Sequence, residues 1–162
     1  MDTLDQRSDS RSRVIRAKPH EVFAAMADPH RIARWWGPAG FSNTIHRFEF
    51  KPGGAWHLTM HGPDGKDYPN ESRFTRVVPD RVFEIEHLSG HHFVLTMELS
   101  EQGAHTRVDW RQTFDTAAHY ERLAEFVAAA NEQNLDRLAA EVERGSSAAQ
   151  SISATPDPKR MA

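Results

Sequence analysis

The stretch from Ala117 to Arg144 constrains this chain more than any other, because it is the one long amphipathic segment in a sequence otherwise patterned as short strands. Tyr120, Leu123, Val127, Ala130, Asn134, Leu138 and Val142 recur at steps of three and four, the spacing that aligns side chains on one helical face. Glu121, Glu125, Glu132, Asp136 and Glu143 fall opposite, so that side is expected to be wet. At ~1.5 Å per residue the helix is ~40 Å long, enough to lie across six or seven strands spaced ~4.8 Å apart. A helix of that length after so many strands predicts an α+β architecture in which a sheet grips a helix. Function is expected in the space between them.

Met1 to Ser12 is polar, with Asp and Arg interleaved, and reads as a disordered tail. Arg13 to Lys18 is expected as a short strand. Pro19 suits the first position of a helix with Val22, Phe23 and Met26 on its apolar side. Asp28-Pro29 starts a second, which runs to Trp35 or Trp36 and ends at Gly37-Pro38. The period then changes to two. Thr44 to Lys51 alternates, with His46, Phe48 and Phe50 on one side, and Ala55 to His61 follows with Trp56, Leu58 and Met60 on one face. Further strands are expected over Tyr68 to Val78, Val82 to Leu88, His92 to Ser100 and His105 to Phe114. The turns between them are too short for parallel crossovers, so the sheet is an antiparallel meander with one apolar and one salted face. Gly145-Ser146-Ser147 is expected to stop the helix. The chain thus divides into a disordered tail over 1–12, one domain over 13–144 and a disordered tail over 145–162.

Twenty basic residues against twenty-three acidic ones argue against a nucleic-acid binder, which needs an excess of Lys and Arg on one face. The absence of cysteine excludes disulfides and thiol nucleophiles and fits a cytoplasmic location. No apolar run approaches the ~20 residues of a membrane span.

Several motifs then resemble a known family: Pro19-His20-Glu21-Val22-Phe23, Trp35-Trp36-Gly37-Pro38, Lys51-Pro52-Gly53-Gly54-Ala55-Trp56, Val77-Val78-Pro79-Asp80-Arg81-Val82 and Leu135-Asp136-Arg137-Leu138. In this order and spacing they resemble the activator-of-heat-shock-ATPase homologues (AHSA-type) of the START-like, or SRPBCC, superfamily. The resemblance covers about residues 13 to 144. It implies the helix-grip fold, two short helices after the first strand, and an internal cavity for apolar or amphipathic small molecules. Members of the family commonly have a Gly-Trp pair where this chain has Ala130 and Asn131. Loss of that indole is expected to enlarge or rewet the cavity.

The candidate lining consists of inward-facing positions: Trp36, Trp56, Leu58, Met60, Phe74, Phe83, Ile85, Leu95, Met97, Val108, Trp110 and Gln112, with Phe126, Ala130 and Asn134 from the helix. Gln112 and Asn134 stand out, because a buried amide must find a hydrogen-bond partner, from the backbone or from a ligand. Of the two indoles at 35 and 36, one is expected to plug the core and the other to line the cavity mouth, with Gly37 and Gly40 letting the next loop move. His87, His91 and His92 cluster at a turn, but no HExxH occurs and no metal is expected. With no G-x-S-x-G and no cysteine, no catalytic centre or cofactor is expected. Glu71, Glu84 and His87 are the groups whose pKa an apolar cavity would shift. The reading is a protein, monomeric or homodimeric, that binds a small hydrophobic or amphipathic molecule. Two alternatives stand beside it. One is an interaction protein that contacts a chaperone ATPase as its partner. The other is a cyclase-like or aromatase-like enzyme, which needs two titratable groups facing each other across the pocket.

Overall fold

A computed structural model describes residues 2–153, with side chains through 145. The chain runs β1 (Ser8–Ile15), α1 (Pro19–Ala27), α2 (Pro29–Trp35), β2 (Ser42–Phe48), β3 (Ala55–His61), β4 (Asp67–Val78), β5 (Val82–His87), β6 (Phe93–Gln102), β7 (His105–Phe114) and α3 (Ala117–Ser153). The seven strands form one curved antiparallel sheet in the order β1-β7-β6-β5-β4-β3-β2. Asp28 begins α2 by accepting a 2.9 Å hydrogen bond from the His30 N–H, with Pro29 at the first helical position.

Alternation decides what faces inward. In β7, Thr106, Val108, Trp110, Gln112 and Phe114 are buried in turn, and direct cross-strand pairing extends this into rows. One row is Phe74, Ile85, Leu95, Gln112 and Asp9, and another is Trp56, Ser72, His87 and Phe93. α3 lies over this face and packs against β1, β7, α1 and α2. On the β2 to β5 side the space is filled by aromatics, with Trp56 stacked on Phe74 at 5.7 Å and Phe50 packed against Phe74 at 5.1 Å and Phe83 at 5.8 Å.

Four expectations are corrected. Residues 8–12 are not a tail but part of β1, paired along β7 from Ser8 opposite Thr113 to Ile15 opposite Thr106. The acidic side of α3 is correspondingly not wet throughout: Arg11 reaches Glu132 at 2.6 Å, Arg13 reaches Glu132 at 2.8 Å and Asp136 at 2.7 Å, and Arg16 reaches Glu143 at 2.9 Å. A polar strand is stable there because its partner face is charged too. Third, β2 bulges between Ile45 and Arg47, so His46 is exposed while Ile45 and Phe48 turn inward. Fourth, α3 does not stop at Gly145 but continues to Ser153. A glycine costs a helix interior only ~1 kcal/mol, and a Cβ at Gly145 would lie 2.7 Å from Arg31 Nη2. The expected tail over 154–162 lies outside the described residues.

Candidate functional site

A cavity of about 220 Å³ lies between α3, the loop after α2 and the middle strands. Eight of the residues expected from sequence line it: Trp36, Trp56, Leu58, Met60, Leu95, Trp110, Gln112 and Asn134. Phe74, Phe83, Ile85, Met97 and Val108 are buried beside it in the solid core. Ala130 is half-buried outside the lining, and Phe126 is corrected outright, being 68% exposed. Phe126 sits one residue, about 100° of rotation, before the inward Val127. The inward stripe is Val127, Asn131, Asn134, Leu135 and Leu138.

The mouth is formed by Trp36, Gly37 and Pro38, and α3 holds them in place. Arg137 donates to five backbone carbonyls, those of Arg34, Trp36, Gly37, Pro38 and Phe41, at 2.7 to 3.0 Å. Asn134 accepts from the Gly37 N–H at 3.2 Å and donates to the Trp35 carbonyl at 2.8 Å. Gly37 has φ +94°, and a Cβ there would meet Met60 Cε at 2.8 Å. Gly40, at φ +88° with a Cβ position 3.1 Å from Pro63 Cβ, is constrained in the same way. Trp35 is fully buried and donates its indole N–H to the Ala25 carbonyl at 2.9 Å, while Trp36 packs edge-on against Trp56 at 4.7 Å.

The polar part of the wall is Asn70, Ser72, His87, His91 and Asn131, with Phe93 among them; sequence reasoning pointed to His87 as a group an apolar cavity would shift and to Asn131 as the place of a lost indole, and missed Asn70 and Ser72. Strand parity carried the signal for the strand residues, since Asn70 and Ser72 share the inward phase of Phe74, and His87 that of Phe83 and Ile85. Asn131, 7% exposed, donates to Asp9 Oδ2 at 2.8 Å and to Gln112 Oε1 at 3.0 Å. Asp9 is itself 5% exposed and clasped by Arg11 at 2.7 and 2.8 Å. Burial raises the Asp9 carboxyl, but hydrogen bonds from Arg11 and Asn131 and the Arg11 charge outweigh it, holding the group below its ordinary range. The indole N–H groups of Trp56 and Trp110, both on the cavity wall, are buried with no acceptor among the described residues. His87 stacks on Phe93 at 4.5 Å, and its Nδ1 and Nε2 each lie 2.6 Å from an oxygen, the His91 carbonyl and Asn70 Oδ1. Burial lowers its pKa.

The remaining titratable candidates lie elsewhere. Glu71 is exposed, and Glu84 accepts from Thr75 and Thr96 at 2.9 and 2.8 Å beside a larger groove of about 790 Å³ on the opposite face of the sheet. That groove is open and lined by charges that pair with one another, such as Arg107 with Asp109 at 3.0 Å. It is a solvated sheet face rather than a built site. His92 is taken up by Glu86 and Asp115, and no group of metal-ligating residues occurs among the described residues. The titratable groups lining the cavity, His87 and His91, stand together at one edge and do not face each other across it as a cyclase-like centre requires. No described helix is long and apolar enough to cross a membrane.

Residues 16–143 match the family described as Activator of Hsp90 ATPase homolog 1-like protein. No curated protein matches the chain. Solved structures share its fold. A Nitrosomonas europaea protein superposes with a TM-score of 0.79 at 16% identity, covering 90% of this chain and 99% of its own. A Chromobacterium violaceum protein gives 0.74 at 22%, covering 82% and 95%. The AHSA1 protein of Silicibacter pomeroyi gives 0.68 at 20%, covering 85% and 99%.

Proposed function

This chain belongs to the Activator of Hsp90 ATPase homolog 1-like family, and from that premise we propose that it binds a small amphipathic molecule in the cavity between sheet and helix. One observation supports this above the rest: an aromatic cavity whose wall includes buried polar groups left without a partner among the described residues. A buried donor without an acceptor costs about 1–3 kcal/mol, and a ligand bearing an acceptor would recover that. The size also fits a binding site for a small molecule. A cavity of ~150 Å³ holds a benzene ring, and this one has about 220 Å³, room for one ring with a substituent. The mouth loop, bonded to Arg137 and Asn134, gives a preformed entrance that needs no ordering on binding.

Saturation-transfer NMR with toluene tests the reading. Saturable transfer is expected from the native protein, and none from Leu58→Phe with Leu95→Phe, which fill the cavity from two strands. Equal transfer from a folded filled variant overturns the assignment to this cavity.

A further inference from the structure

One buried charge fixes which way the cavity's amides point, and this selects a ligand class. Asp9 is a carboxylate and can only accept, so the Asn131 side chain must turn its nitrogen toward it. The second hydrogen of that nitrogen goes to Gln112, so Gln112 must present its oxygen. Both hydrogens of the Asn131 amide are then used. What remains on the two residues is one acceptor, Asn131 Oδ1, and one donor group, Gln112 Nε2, neither with a partner among the described residues. Both residues line the cavity and are at least nine-tenths buried. A donor and an acceptor on two hydrogen-bonded side chains form an amide-like edge, whose complement is another amide edge.

We propose that the cavity selects a neutral aromatic or cyclic amide: one planar ring bearing a carboxamide or lactam, its carbonyl accepting from Gln112 and its N–H donating to Asn131. This rests on the cavity reading above and narrows it. Trp36, Trp56 and Trp110 supply the flat surfaces for the ring, and the volume of about 220 Å³ admits a ring with a few substituent atoms. The same geometry rejects a carboxylate of equal size. A carboxylate brings two acceptors and no donor, so one oxygen would face Asn131 Oδ1, near the Asp9 charge that Asn131 bonds. Arg11, the cation nearest that charge, is already engaged by Asp9 and Glu132. An apolar ring of equal size enters but leaves both amide groups unbonded.

Isothermal titration of the full chain at pH 7.5 with benzamide, benzoate and toluene separates these cases. Benzamide is expected to bind at least about tenfold more tightly than toluene, with benzoate weakest. Asn131→Leu, close in volume, is expected to abolish the advantage of benzamide while keeping toluene binding, which also reports that the cavity survives. Gln112→Leu, which removes the donor from another element, is expected to do the same. Asp9→Asn frees the Asn131 amide to turn and is expected to shrink the advantage without eliminating toluene. Benzoate matching benzamide, or Asn131→Leu and Gln112→Leu both keeping the benzamide preference, overturns the amide assignment and leaves the cavity reading standing. Failure of all three probes to bind overturns the cavity reading itself.

Discussion

Two polar clusters tie α3 to the rest of the molecule, and they differ in how completely they are satisfied. At the α2 end, Glu141 is 6% exposed and receives Arg34 at 2.8 Å, Arg31 at 3.1 Å and Arg144 at 2.7 Å. Ten residues earlier, Asn131 meets Asp9 and Gln112 but leaves an acceptor and a donor unspent beside the cavity. The first cluster is closed on itself and fastens two helices. The second stops short of closure where the protein has open space. Saturated polar groups mark a joint, whereas the unsaturated ones here are those left open to the ligand proposed above.

The largest effect is expected from breaking the joint. Glu141→Ala leaves three guanidinium groups facing each other and should lower stability by about 3–5 kcal/mol in urea unfolding. Arg137→Met comes next, because five carbonyls lose a charged donor; a loss of about 2–3 kcal/mol is expected, together with weakened toluene transfer as the mouth loop loosens. Acid sharpens the contrast further. Burial raises the Glu141 carboxyl, and hydrogen bonds from Arg34, Arg144 and Arg31 more than reverse this, leaving it at about 2 against an ordinary 4.5. A carboxyl lowered in the folded state stabilises it fully above the unfolded value and progressively less as pH falls toward the folded one. Unfolding followed from pH 5 to pH 2 should therefore show stability falling, with a shallower slope in Glu141→Gln. The smallest effect is expected at the open cluster. Asn131→Leu should lower stability by only about 1–2 kcal/mol, since Gln112 loses its donor but Asp9 keeps both bonds from Arg11. A loss as large as that of Glu141→Ala would mean that the two clusters do the same work.

The strands from β3 to β7 and both short helices were legible in sequence, because period two, Pro at first helical positions and short turns each leave a local mark. β1 was not. Its Ser8 to Ser12 segment looks like a soluble tail, and only the distant acids of α3 make its arginines structural. The bulge at His46 was hidden for a related reason: an extra residue in one strand is visible only against its partner. In the site, the apolar wall followed from parity. The polar wall shares that parity, but Asn70 and Ser72, taken singly, read as solvent-facing. Phe126 is the opposite case: its size and apolarity suggest an inward position, but it stands one residue before Val127, which the three-and-four spacing places on the inward face.

The Arg137 contacts have a consequence for how the cavity can be altered. All five of its partners are carbonyls, which every residue possesses, so the hold of Arg137 on this loop does not depend on which side chains the loop bears. Trp36 is held by its packing on Trp56, and Gly37 and Gly40 by their positive φ and their nearness to Met60 and Pro63, which leaves Pro38, Ala39 and Phe41 as the positions free to vary while the frame stays put. The entrance is thus built like a socket with exchangeable inserts. Diversification directed at 38, 39 and 41, with Arg137 and Gly40 left untouched, is the economical route to reshaping this entrance.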